Sequence, residues 1–256
     1  MQVGLKMTEH VIVNDEAGIR TIRMNRPEKK NALTLAMYDA MTDALESAST
    51  NDAVRCVLFA GVPGAFSAGN DLADFLAATQ GTGRWSAQAL RFLPALVHCR
   101  KPLVAAVSGV AVGIGTTMLL HCDYVAVATD ARLSTPFVGL GLVPEAASSL
   151  LAPRMMGPHR AFELLVMGHV LNAMQAKECG IANVVVAPED VDAMGLKAAR
   201  EIATLPTGAV AAARALMRGS GDELEARIAL EGKIFNERLQ SPEAKTALEA
   251  FFARKR

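Results

Sequence analysis

The spacing of apolar residues changes several times along the chain. HVIVND (10–15) and GIRTIRMN (18–25) alternate apolar and polar positions around an Asp-Glu-Ala-Gly turn, the pattern of two hairpin strands. A polar stretch, NRPEKKNA (25–32), follows. Thr34 can then cap a helix whose apolar positions Leu35, Tyr38, Met41 and Leu45 recur at nearly helical spacing. Short unbroken apolar runs at VRCVLFAG (54–61), LVAAV (103–107), YVAVAT (124–129) and IANVVVA (181–187) predict buried strands. Between them the pattern predicts a helix beginning at Asp71, one from Ser86 to Cys99 interrupted at Pro94, and a short one ending at His121. After Glu145 it turns helical through AASSLL, HRAFELLVMG and NAMQAKECG, the last closed by Gly180. From Val191 the chain reads as helix, with Ser241-Pro242-Glu243 starting the final one. Strands alternating with helices predict an α/β fold with parallel pairing, and no repeat or long linker divides it.

Composition adjusts this picture in three places. Residues 102–122 contain no Asp, Glu, Lys or Arg and are long enough to span a bilayer. Gly109, Gly113 and Gly115 interrupt the run and PLVAAV is rich in β-formers, so strand, loop and helix is the better reading. Twenty-six basic residues balance twenty-six acidic ones, which argues against nucleic acid or an anionic membrane surface as partner. Cys56, Cys99, Cys122 and Cys179 are scattered without a CxxC pair, so neither a metal site nor a disulfide framework is expected. The first ten residues lack an apolar signal core, and the expected location is cytoplasmic.

Two segments carry candidate chemistry. AFSAGNDL (65–72) and SGVAVGIGTT (108–117) each follow an apolar strand and open into a helix. Helix starts leave backbone N–H groups unpaired, and glycine admits close approach. Two such junctions side by side can aim two N–H groups at one oxygen, as an oxyanion hole does; a simple connecting role is the alternative. GIG lacks the third glycine of a dinucleotide fingerprint, and the Gly-Lys-Ser/Thr end of a P-loop is absent. From Leu133 to Pro153 the only charge is Glu145. A carboxylate among apolar residues either reaches the surface, caps a helix beginning at Pro144, or does chemistry.

AFSAGNDL, KPLVAAVSGVAVGIGTTMLLHCDYVAVAT and ARLSTPFVGLGLVPEAASSLLAPRMMG, in this order and spacing, resemble the crotonase (enoyl-CoA hydratase/isomerase) superfamily. The resemblance implies a ClpP-like spiral of ββα units over residues 1–199. A C-terminal helical segment of the same domain, 200–256, would build a homotrimer or a dimer of trimers. It implies an acyl-CoA thioester as substrate, with coenzyme A entering as part of it and no separate cofactor. Carried over by position, the oxyanion donors are the backbone N–H groups of Ala68 and Ile114. The two glutamates of the hydratases fall on Thr117 and Phe137, neither of which can act as an acid. LGLVPEAASSL is most similar to the 3,2-enoyl-CoA isomerase branch known from peroxisomal members, whose single catalytic glutamate corresponds to Glu145. On the same basis Phe66, Asp71, Leu72, Phe137, Leu140 and Leu142 line the acyl site, and Arg26, Lys29, Phe252 and Lys255 meet coenzyme A.

The implied reaction is the shift of a 3-enoyl double bond to the 2-position in fatty acid degradation. A hydratase or other crotonase reaction using Glu145 with water is the alternative. A non-catalytic acyl-CoA or protein-binding module is a third reading. Ser67 lacks the GxSxG setting of a hydrolase. Asp123 is expected to serve as a structural acceptor, and the histidines show no partner spacing.

Overall fold

A computed structural model describes residues 8–71 and 87–253. Strands β1 (Val11–Glu16) and β2 (Ile19–Met24) pair antiparallel about Ala17 and Gly18, both at positive φ as a tight hairpin turn requires. Helix α1 (Leu35–Thr50) starts where the Thr34 side chain accepts the N–H of Met37 at 3.3 Å. It buries Tyr38, Met41 and Leu45 as expected.

The middle of the chain repeats one unit. Strands β3 (Cys56–Ala60), β5 (Leu103–Val107) and β7 (Tyr124–Ala128) run parallel in a six-stranded sheet of order β1-β2-β3-β5-β7-β10, with β10 at Val184–Val186. Each is followed by a shorter strand that leaves for a second sheet: β4 (Ala65–Ser67), β6 (Val110–Val112) and β8 (Arg132–Ser134). Strand β9 (Leu171–Asn172) completes that sheet in the order β4-β6-β8-β9. This is the spiral of ββα units that the resemblance implies. The second sheet was not expected from the apolar pattern. Its strands are two or three residues long, too short to show a period, and they lie inside what reads as glycine-rich loop.

Helix α2 (Ala87–His98) runs through Pro94 without ending there. Residues 102–122 are β5, β6, the one-turn helix α3 (Ile114–Thr117) and a 3-10 turn to His121. No helix among the described residues is long and apolar enough to cross a membrane. Helices α4 (Ser148–Met156), α5 (Pro158–Leu165) and α6 (Ala173–Glu178) follow. Asn172 and Gln175 form a reciprocal capping box at the start of α6.

Helix α7 (Val191–Thr204) lies on the large sheet and runs unbroken through residue 199. A Cβ on Gly195 would come within 2.9 Å of Ala106 Cβ, so glycine lets the helix approach β5 closely there. Helices α8 (Thr207–Arg218), α9 (Asp222–Leu239) and α10 (Pro242–Ala253) form the tail. Helix α8 buries none of its residues and exposes Leu216 and Met217 almost completely. Asp123 accepts hydrogen bonds from the Leu103 N–H (2.7 Å), Arg214 Nε (2.8 Å) and Arg218 Nε (3.0 Å), a structural tie between β5, β7 and α8.

Candidate functional site

Parallel pairing of β4 with β6 sets the two glycine-rich junctions side by side. A Cβ on Gly115 would lie 2.8 Å from the Ser67 carbonyl oxygen, and one on Gly69 2.8 Å from that of Val112. Both are closer than a side chain tolerates, so glycine is what lets the junctions touch. Ile114 is the first residue of α3, where the N–H has no acceptor one turn back.

The Ala68 N–H is placed differently from the expectation. It donates to the Lys30 carbonyl at 2.8 Å. Lys30 and Asn31 are both left-handed, and the Asn31 side chain donates to the carbonyls of Ala65 (2.9 Å) and Phe66 (3.1 Å). Leu33 and Asp71 extend the seam by backbone bonds. The segment 30–33 is therefore laced along 65–71, and the Ala68 donor already has an acceptor. The Ser67 hydroxyl donates to the Asn31 carbonyl at 2.9 Å and accepts from the Gly69 N–H, so it is a loop brace, not a nucleophile.

Glu145 is 2% exposed. It is not in the first turn of a helix: α4 begins three residues later at Ser148, after Ala146 and Ala147 at φ 58° and 54°. The capping role is thereby corrected. Left-handed backbone is costly for residues with a Cβ and usually stands where surrounding contacts enforce it. Glu145 Oε1 accepts the hydroxyl of Thr117, while Oε2 is buried without a partner among the described residues. Burial pushes the carboxyl up from 4.5 to about 8; the Thr117 hydrogen bond works against this, and the charge of Glu231 adds to it.

Phe137 and Leu142 are buried in the same core as Ala146 and Ala147, and Leu140 packs on that core. The Phe137 ring comes near Gly113, whose peptide leads into Ile114. Tyr38 is held protonated by burial and by the Glu145 charge, and its hydroxyl donates to Asn70 Oδ1 at 2.5 Å. Tyr38 and Asn70 thus link α1 to the 68–71 junction on the glutamate's side. His121 is buried and pushed down to about 4 by desolvation, so its neutral ring donates through Nε2 to the Ala146 carbonyl at 2.7 Å.

Other predicted residues are placed otherwise. Phe66 is fully buried in the core. Arg26 turns inward, where its guanidinium donates to Asp71 Oδ2 at 2.6 Å and to the Ala32 carbonyl at 3.0 Å. Arg26 and Asp71 therefore clasp the two loops together rather than presenting free charges. Lys29 is exposed on a 3-10 turn, Pro27–Lys29. Leu72, Lys255 and the side chain of Phe252 lie outside the described residues, as does the helix expected to start at Asp71.

One residue of the site was missed by the sequence reading. Glu231 of α9 is 5% exposed and reaches the turn after Glu145. Its carboxylate accepts the N–H groups of Ala147 (2.7 Å) and Ser149 (3.0 Å) and the Ser149 hydroxyl. The available signal was its position on the apolar stripe of α9, between Ile228 and Phe235.

Residues 14–256 match the family model described as Enoyl-CoA hydratase/isomerase. The chain is 37% identical over 250 residues to enoyl-CoA delta isomerase 2 of Rattus norvegicus, covering 96% of this chain and 64% of that protein. The chain thus spans just under two thirds of that relative's length. It is 31% identical to 1,2-epoxyphenylacetyl-CoA isomerase of Escherichia coli (strain K12), covering 97% of each. The solved structure of Pseudomonas aeruginosa OdaA superposes with a TM-score of 0.90 at 45% identity, over 95% of this chain and 99% of that one. Other relatives bear hydratase names.

Proposed function

The chain belongs to the enoyl-CoA hydratase/isomerase family, and on that footing we propose that it is an isomerase moving the double bond of a 3-enoyl-CoA to the 2-position, with Glu145 as the proton carrier. The observation that carries the reading is the isolation of this carboxyl. Glu145 is the buried acid at the junction, while the positions that match the two hydratase glutamates hold Thr117 and Phe137.

The chemistry needs one base. Removing a proton from C2 of a 3-enoyl thioester leaves an enolate whose charge spreads to the thioester oxygen and to C4. Returning that proton to C4 gives the 2-enoyl ester, and nothing is gained or lost. The Ile114 N–H is the donor ready to meet the thioester oxygen. The Ala68 N–H would serve as second donor by sharing its proton between the Lys30 carbonyl and the substrate, as three-centre bonds do. Walls formed by Phe137, Leu140 and Leu142 keep the carboxyl desolvated, which strengthens it as a base once ionised.

Hydration would require an activated water at C3 and a proton at C2, and no second carboxylate occupies either family position. A binding module without catalysis would have no use for a buried acid whose Oε2 has no partner among the described residues. Coenzyme A would enter with the substrate, Lys29 being an exposed cation next to the clasped loops in sequence. Fatty acid degradation in the cytoplasm and assembly into a trimer or dimer of trimers complete the proposal. The test is a spectrophotometric comparison of the purified protein on 3-hexenoyl-CoA and crotonyl-CoA. Isomerisation of the first well above hydration of the second supports the reading; the reverse overturns it.

A further inference from the structure

We propose that Glu231 is a positioning residue for Glu145: from α9 it holds the two left-handed residues that follow Glu145 and so fixes where that carboxyl points. The inference rests on the reading of Glu145 as the proton carrier. Ala146 and Ala147 are adjacent, both carry a Cβ, and both stand at positive φ. Such a pair reverts to ordinary backbone unless its peptides are held from outside. Two groups hold it. The His121 ring donates to the Ala146 carbonyl, and the Glu231 carboxylate accepts the next N–H, that of Ala147, together with the N–H and hydroxyl of Ser149. The turn is gripped at a carbonyl on one side and at N–H groups on the other.

A buried glutamate is an expensive way to cap a helix, since leaving water costs a carboxylate far more than it costs serine or asparagine at a surface N-cap. Of the donors it meets, the Ala147 N–H belongs to the left-handed turn after Glu145, and the two of Ser149 belong to the first turn of α4 that continues it. A purely architectural tie between α9 and the core would not require charge, and the buried Ile228 and Phe235 already provide one. Placement from the C-terminal helices also makes the site depend on the tail being seated.

The charged groups around this point are few. Arg227, one turn back on α9, approaches the Ser149 hydroxyl at 3.4 Å. Glu145 and the neutral His121 lie on the turn's other side, with Tyr38 contributed by α1. At the start of α9, Glu225 pairs with His98 of α2 and Glu223 with Arg154 of α4; toward its end Arg238 pairs with Glu243 of α10. None of these three pairs belongs to the turn. The Glu231 charge therefore adds to the burial that holds the Glu145 proton.

The experiment uses the full chain with 13C-labelled glutamate. The Glu145 carboxyl signal is identified by its loss in Glu145→Gln. Its titration is then followed in wild type and Glu231→Gln, alongside exchange of the C2 protons of an acyl-CoA in heavy water. The expected results are a Glu145 midpoint that falls below the wild-type value while staying above the ordinary range, because burial, the larger cause, remains, and an exchange rate down roughly ten- to a hundredfold with KM little changed, as small misplacements cause. In the Glu145→Gln background, Glu231→Gln should lower the rate no further, because the two act as one unit. Ser149→Ala, which removes one donor to Glu231 and is milder for folding, should shift the same two readouts by less. Folded Glu231→Gln and Ser149→Ala proteins with unchanged midpoint and rate, differing only in thermal midpoint, would overturn the proposal. A wild type whose exchange does not depend on Glu145 would overturn the isomerase reading instead, and the titration would still judge Glu231.

Discussion

The Thr117 hydroxyl donates to Oε1 of Glu145, joining the one-turn helix behind the glycine junction to the loop before α4. Thr117 stands where the resemblance to hydratases places a first glutamate. A second acid there would face Glu145 with like charge. The hydroxyl instead stabilises the ionised form of Glu145, and it leaves Oε2 of Glu145 buried and unpartnered among the described residues.

Thr117→Val keeps the shape and removes the donor. A hydrogen bond to a charged group contributes about 1.5–3 kcal/mol. The Glu145 carboxyl should therefore titrate higher still, and isomerase turnover near neutral pH should fall roughly tenfold or more, recovering in part at high pH. The pH profile of kcat decides this. An unshifted profile would show that the hydroxyl does not support the ionised base.

The same carboxyl predicts an unusual pH dependence of stability. Its folded value, about 8, lies above 4.5, so the neutral form favours the fold. That contribution is full below about 4.5, declines as pH rises toward 8, and is gone above it, as the unfolded chain ionises first. At about 1.4 kcal/mol per unit the total is on the order of 3–5 kcal/mol. His121, held neutral down to about 4, acts oppositely: its contribution is lost as pH falls below its ordinary 6.5. The two overlap between 4.5 and 6.5, so the useful quantity is a difference. The thermal midpoint of Glu145→Gln minus that of wild type should grow between pH 5 and pH 8. A constant difference would mean that Glu145 is ionised throughout.

Ile114→Pro removes the junction N–H at a first helical position, where proline is tolerated. Turnover should fall on the order of a hundred- to a thousandfold, the usual effect of losing one oxyanion donor. Ile114→Val keeps the N–H and should stay within a few-fold of wild type. Circular dichroism confirms folding of both. Equal losses in the two variants would assign the effect to side-chain packing and remove Ile114 from the oxyanion site.

Helix α8 and its neighbours leave Leu205, Leu216, Met217, Leu230 and Ile234 exposed, more apolar surface than scattered single residues account for. Sedimentation equilibrium at micromolar concentration should give a trimer or a multiple of it. Leu216→Glu combined with Met217→Glu should weaken assembly if α8 lies in the contact. A wild type that sediments as a monomer would contradict the oligomeric part of the proposal.

The large sheet could be read from the chain because VRCVLFAG, LVAAV and YVAVAT are buried on both faces and need no alternation to be recognised. The small sheet could not, since Ala65–Ser67 and Val110–Val112 are strands only by virtue of each other. Glu145 stood out because its neighbours in sequence are apolar. Glu231 did not, because in α9 it sits among Asp222, Glu223 and Glu225, and only the buried stripe distinguishes it. Arg26 and Asp71 looked like ligand-facing charges but lie forty-five residues apart and satisfy each other. That pairing, like the Lys30 carbonyl on Ala68, depends on two loops meeting in three dimensions, which spacing along the chain does not encode.

The central claim is that Glu145 carries the proton between C2 and C4. Glu145→Gln preserves shape and hydrogen-bonding reach while removing the base. Its rate of converting 3-hexenoyl-CoA to the 2-enoyl ester should fall by about a hundred- to ten-thousandfold, the range for loss of a general base, with acyl-CoA binding retained. A Glu145→Gln protein that isomerises 3-hexenoyl-CoA at most of the wild-type rate would contradict the account.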